Sequence, residues 1–155
     1  MLVKTKYFGE INLSEDKIIT MERGMFGFEE YKKYTILFDS EKEGKANVSW
    51  FQSVEEPGLA FPVINPLVVK EDYNPVVEDE LLKGLGEITE ENIVILLLLT
   101  VPQDAIQMTA NLKAPIIINA DTRKGAQVVV ENEEYEIKYS CLLYTSPSPR
   151  DTERS

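Results

Sequence analysis

Ile93-Val94-Ile95-Leu96-Leu97-Leu98-Leu99, set between Asn92 and Pro102, is the stretch that decides the fold. By content alone this aliphatic run fits either a buried helix or a buried strand. Its β-branched start, its short length and its flanking turn residues favour a strand. On the edge of a sheet such a strand would invite aggregation, so it belongs at the centre, buried on both faces. It is too short to span a bilayer, which takes about 20 apolar residues.

Segments of the same style lie on either side. Tyr34–Phe38, Val48–Gln52, Val63-Ile64, Ile116–Ile118 and Val128–Val130 read as strands, and the central strand extends from Ile93 to Val101. Lys4–Leu13 reads as two strand-like pieces with a tight hairpin or bulge at Phe8-Gly9. Turn signals recur at Gly24, Gly27, Pro57-Gly58, Asn65-Pro66, Asn74-Pro75 and Lys124-Gly125. Two short helices are expected. Phe28–Lys33 has room for a turn or two; Glu78–Leu85 opens on acids, aligns Leu81, Leu82 and Leu85, and ends at Gly86. The expectation is a mainly all-β fold: a small antiparallel barrel-like or sandwich domain with one or two short helices. Trp50, inside a strand, is expected in the core.

The chain has 155 residues, enough for one domain with a real core, and carries 16 Lys+Arg against 27 Asp+Glu for a net charge of -11. It has no histidine and one cysteine, which removes His-based nucleophile pairs, His metal ligands and a four-ligand zinc site. No metal or cofactor is therefore expected, and no enzymatic activity. An acidic surface repels phosphate backbones, so direct nucleic-acid binding is not expected and protein partners are. Met1–Lys6 leads into no apolar signal core, and one cysteine makes no intrachain disulfide. The expected setting is the cytoplasm, with no membrane contact and a monomeric state.

From Ser140 to Ser155 the composition shifts abruptly to Ser, Pro, Thr and Arg without apolar periodicity. This tail, which holds Cys141, resembles translated adaptor read-through. It is expected to be disordered and non-native, to stand in place of a few native C-terminal residues, and to leave 1–139 as the folded domain.

Three constellations each have a functional reading and a plainer one. Acidic clusters such as Glu55-Glu56, Glu78-Asp79-Glu80 and Glu90-Glu91 could serve a small carboxylate-pair hydrolase, but nothing in the sequence marks a sugar cleft; solvated surface charge is the simpler reading. The ordered calcium-loop pattern is absent. Arg23-Gly24-Met25-Phe26-Gly27-Phe28 lacks the Lys-Ser/Thr of a phosphate loop. Its apolar residues Met25, Phe26 and Phe28 either tuck into the core or form a binding lip. Asn65-Pro66 and Thr109–Pro115 place amides and small residues beside strands. They either complete turns or offer a wall to a partner chain.

Taken in order, Thr5–Ile11, Gly24–Glu29, Trp50–Pro57, Ala60–Pro66, Met108–Ile116 and Thr122–Gly125 make residues 1–139 resemble the flagellar assembly factor FliW family. The resemblance implies a small, mostly antiparallel β protein of barrel-like architecture without catalysis. It implies a partner switch. Such proteins bind flagellin and the translational repressor CsrA, antagonising CsrA so that flagellin messenger RNA is translated, until unassembled flagellin takes CsrA's place. A dedicated flagellin chaperone without CsrA antagonism is the nearer alternative. Candidate partner-binding residues are Met25, Phe26 and Phe28 in the apolar loop, Gln52, Glu55 and Glu56 at a turn, and Asn65, Asn111 and Lys113 in the amide stretches. No catalytic, cofactor-binding or metal-binding residue is assigned.

Overall fold

The computed structural model describes residues 1–38, 48–100 and 108–140. Eleven strands occur among them: β1 Leu2–Lys4, β2 Glu10–Asn12, β3 Ile19–Met21, β4 Lys33–Phe38, β5 Val48–Ser53, β6 Ala60–Ile64, β7 Ile93–Thr100, β8 Thr109–Ala110, β9 Ile116–Asn119, β10 Lys124–Gln127 and β11 Tyr139–Ser140. Helices are short: α1 Pro66–Val69, α2 Asp79–Leu82, and 3-10 turns at Glu15–Lys17 and Lys83–Leu85. No helix among these residues is long and apolar enough to cross a membrane.

Strands β3 to β7 form an antiparallel meander; β7 then pairs with β9, β9 with β10, and β10 with β3. That last pairing is parallel (Lys124 beside Thr20, Gly125 beside Met21) and closes a barrel of seven strands. The far end of β7 instead pairs with β8, and β8 with β11. The β1–β2 hairpin stands apart, turning at Gly9 with φ 68° as the Phe8-Gly9 break predicts.

The aliphatic run is the central strand expected of it. Val94, Leu96 and Leu98 face the barrel interior beside Ile19, Met21, Met25, Tyr34, Phe51, Val63, Ile116 and Ile118. On the alternate face, Ile95, Leu97 and Leu99 pack with Ile64, Val69, Tyr73, Leu112, Val130 and Tyr135. The period of two thus serves two cores at once. Ile117 turns away from the barrel into a third cluster with Leu85 and Val128, under the α2 segment. Inside the barrel Tyr34 and Phe51 stack, centroids 4.6 Å apart and 9° from parallel. Each fully buried side chain of this kind contributes about 1.5–3 kcal/mol.

Several local expectations are corrected. Lys124-Gly125 is strand, not turn, and the chain reverses over Ala120–Arg123 instead. The Asn119 side-chain oxygen accepts from the N–H of Asp121 (2.9 Å) and of Thr122 (3.3 Å), which builds that turn. Gly125 is a close-approach glycine: a Cβ there would meet Met21 Sδ at 2.8 Å and Ile118 Cγ1 at 3.0 Å. Val128–Val130 is not a regular strand, although its N–H groups at 128 and 130 still donate to Pro115 and Lys113 carbonyls. Phe28–Lys33 is not helical, because the Glu55 carboxylate takes the N–H groups of both Lys32 and Lys33. The α2 segment and its Gly86 stop at φ 85° fall where expected. Helix α1 was not anticipated; Asn65 caps it through Leu67 N–H at 2.9 Å, and Pro66 opens it. Trp50 is half-buried rather than a core residue, its ring 4.3 Å from that of Tyr7. Val101, Cys141 and the rest of the tail lie outside the described residues. Ser140, counted above with the tail, pairs with Thr109.

Candidate protein-docking site

Between Met21, the last residue of β3, and Lys33, the first of β4, the chain must turn at one end of the barrel. Gly24 and Gly27 take left-handed φ values of 69° and 88°, which lets two tight turns follow each other. The Gly24 N–H donates to Met21 O at 2.8 Å and the Phe28 N–H to Met25 O at 2.8 Å. A Cβ on Gly24 would sit 2.6 Å from Glu29 Cα, so the two limbs of the loop touch there. The Phe26 N–H donates to Gln127 Oε1 at 2.8 Å, and Gln127 Nε2 donates to Ala114 O at 3.2 Å. One buried glutamine thereby ties the loop to the end of β10 and to the Thr109–Pro115 stretch.

This bracing sorts the three apolar loop residues. Met25 is buried in the barrel, 1% exposed, and anchors the loop. Phe26 and Phe28 project, 50% and 38% exposed. Phe28 rests edge-on against Phe61, centroids 5.4 Å apart and 73° between planes. Of the two alternatives for the loop, Met25 takes the core one, while Phe26 and Phe28 leave apolar surface exposed. Covering the exposed parts of two phenylalanine rings removes roughly 150–200 Å² of apolar surface from water, on the order of 4 kcal/mol. That is the energy scale of an interface anchor. The shoulder beside the rings is acidic: Glu29 and Glu30 are exposed. Glu29 accepts from Gly27 N–H at 3.1 Å, and that backbone hydrogen bond is the main reason its carboxyl lies below its ordinary pKa.

The other candidates are placed less simply. Gln52 is corrected to an interior residue, 1% exposed. Its Oε1 accepts from Lys6 N–H (3.0 Å), and its Nε2 donates toward Ser53 O (3.0 Å), Pro57 O (3.1 Å) and Leu59 O (3.2 Å). Met25 is corrected likewise, since its buried side chain offers no surface to a partner. Glu55, though exposed, holds the backbone of Lys32 and Lys33, and Glu56 accepts from Gly58 N–H at 3.0 Å. Asn65 is the exposed cap of α1. Asn111 accepts from the N–H groups of Lys113 (2.9 Å) and Ala114 (3.0 Å), and Lys113 Nζ donates to Asn132 O at 2.7 Å. These amides do the turn-completing work that was their plainer reading. The bonded network brings Phe26, Phe28, Glu29 and Glu55 to one end of the barrel, around the loop. Asn65 stands elsewhere, on the α1 side of the second core. Sequence reasoning missed Gln127 as the brace of the loop, because a glutamine more than a hundred residues away carries no local signal.

Comparison with known proteins gives a consistent result. The model of the FliW protein family matches residues 2–142. The chain is 57% identical over 139 residues to a protein named flagellar assembly factor FliW from Lachnoclostridium phytofermentans, covering 90% of this chain and 89% of that one. It is 54% identical over 140 residues to the protein of the same name from Lachnospira eligens, covering 90% and 93%. A solved structure described as the crystal structure of the flagellar assembly factor FliW superposes with a TM-score of 0.82 at 33% identity, covering 91% of this chain and 96% of that one.

Proposed function

The chain belongs to the FliW family of flagellar assembly factors, and from that premise we propose that it acts in the cytoplasm by occupying the surfaces of two protein partners, flagellin and CsrA. While it holds CsrA, flagellin messenger RNA is open to translation. Unassembled flagellin then takes CsrA's place and closes the loop. The protein is a binding module and not a catalyst.

The observation that supports docking best is the Phe26–Phe28 loop. Two aromatic rings are held out from the barrel on a backbone that bends at two glycines and is fastened by Gln127 and buried Met25. A partner meeting this tip need not order it, which spares the entropy that flexible loops lose on binding. The net charge of -11 supports antagonism by a second route. Docked beside an RNA site, so acidic a body repels the incoming phosphate backbone without covering each contact.

A competition pull-down tests the proposal: purified flagellin is added to a preformed complex with CsrA and displaced CsrA is scored. Displacement is expected. Binding of flagellin with no effect on CsrA would reduce the protein to a dedicated flagellin chaperone, and binding of neither partner would end the reading. Phe26→Ser and Phe28→Ser should each weaken partner binding about tenfold or more, with the thermal midpoint within about 3 °C for the more exposed Phe26.

A further inference from the structure

The opposite end of the barrel carries a feature that the docking loop does not use. At the Phe38 end of β4, an apolar cup of about 250 Å³ opens between Ile19, Ile36, Phe38, Val94 and Ile118. Phe38 stands at its lip, 71% exposed. Around the rim are Asp16, Lys17 and Arg123. The Asp16 carboxylate accepts from Ser14 Oγ at 2.6 Å and feels the charges of Lys17 and Arg123, while Arg123 itself makes no close ion pair among the described residues.

Arg123 stands out for its backbone too. At φ 57° it is the one non-glycine residue among those described with a left-handed conformation. It is fixed there by its own N–H on Asn119 O (2.8 Å) and by the Thr20 N–H on its carbonyl (2.9 Å). A glycine would hold this turn with less strain, so an arginine here costs some stability. Its side chain borders the cup on one side and, on the other, a groove of about 500 Å³ that Thr20, Lys33, Val54, Thr122 and Glu15 also line. Arg123 thus joins cup and groove into one track, with three cationic side chains, Lys17, Arg123 and Lys33, along it beside Asp16 and Glu15, on a strongly acidic protein.

We propose that this track is a second protein-binding site, which takes an extended acidic segment of a partner, one bulky apolar side chain seated in the cup and a carboxylate on Arg123. The local cations oppose the net charge of the whole chain, so they select an anionic group where most of the surface would repel one. The cup has the volume of one or two side chains and its walls are barrel-core residues, so it is formed before anything enters. The site is independent of the partners proposed above, and its cup lies about one strand length, roughly 17 Å, from the Phe26–Phe28 loop.

The test is a methyl NMR titration of the full chain with the peptide acetyl-Gly-Gly-Leu-Glu-Asp-Gly-Gly-amide. Saturable shifts are expected at the methyls of Ile19, Ile36, Val94 and Ile118. Arg123→Asn, which tolerates the left-handed backbone, and Phe38→Ser, at an already exposed position, should each weaken binding about tenfold or more. A peptide with Gln and Asn for its acids should bind the wild type as weakly as the acidic peptide binds the Arg123→Asn variant. Phe26→Ser should change nothing. No saturable shift up to about 10 mM peptide, shifts confined to other residues, or equal affinity for the neutral peptide would each overturn the proposal.

Discussion

Replacing Gly24 by alanine should damage this protein far more than replacing Gly27, although both sit in one loop with left-handed backbones. Alanine at either position carries the left-handed penalty of about 1–2 kcal/mol. At Gly27 that is the whole effect, since a Cβ there meets nothing within 4 Å. At Gly24 the Cβ would lie 2.6 Å from Glu29 Cα, 2.8 Å from its O and 2.9 Å from its C, all backbone atoms that cannot rotate away. The two limbs must part, an overpacking of about 1–3 kcal/mol, which brings the Gly24→Ala total to about 2–5 kcal/mol. For a domain of this size that lowers the thermal midpoint by roughly 6–15 °C, against roughly 3–6 °C for Gly27→Ala. Thermal and urea melts followed by circular dichroism and Trp50 fluorescence measure both. Equal losses in the two variants would show that the limb contact carries no energy, and the rigidity claimed for the loop would go with it.

Gln52→Ala should destabilise by about 2–4 kcal/mol, since one buried amide serves the backbone of Lys6, Pro57 and Leu59; a urea midpoint near wild type together with lost partner binding would return Gln52 to the interface. Tyr34 is fully buried and its hydroxyl has no hydrogen-bond partner among the described residues. Burial foremost, with the nearby negative charge of Glu55 and Glu30, pushes its pKa up to about 12. Because the folded state holds this proton longer than the unfolded chain does, stability is full below pH of about 10 and falls as pH rises from there toward about 12, by roughly 2 kcal/mol. Tyr34→Phe should flatten that alkaline limb and leave neutral-pH stability unchanged or slightly higher; an unaltered limb would exclude Tyr34 as its source. If charge repulsion contributes to RNA release from CsrA, raising salt should weaken the antagonism once both binary affinities are corrected for salt, and a salt-insensitive effect would remove that contribution.

How much of this was legible in the sequence depends on how local its cause is. The central strand announced itself, because its β-branched start, its short length and the turn residues on either side favour a buried strand over a buried helix. So did the Gly9 hairpin and the Gly86 stop, where backbone conformation follows from the residue itself. Strands β3, β8 and β11 did not, since two or three residues carry no period and are strands only by virtue of their neighbours. Lys124-Gly125 misled for a related reason: its glycine answers a steric demand from Met21 and Ile118, which no local reading can see. The apolar loop was half legible. Its composition marked Met25, Phe26 and Phe28 together, but which of the three is buried and which two project depends on the Gly24–Glu29 contact and on Gln127. Gln52 and Asn111, candidates for partner binding by sequence, are consumed by backbone groups, as polar residues near turns commonly are.

The parallel union of β3 with β10 has a consequence for synthesis. Its two partners are about a hundred residues apart, so on a ribosome releasing perhaps 5–20 residues each second the first half of the wall waits several seconds for its last stave. Once β7 is made, at Thr100, the meander β3–β7 holds two raw margins until β10 follows, one on Ile19–Met21 and one along the most aliphatic strand of the molecule. Both are sealed together, when β9 and β10 arrive as a single hairpin. Holding that nascent intermediate in solution, by stalling translation before residue 116, should yield a species that is captured by chaperones or aggregates, whereas stalling well beyond residue 127 should not.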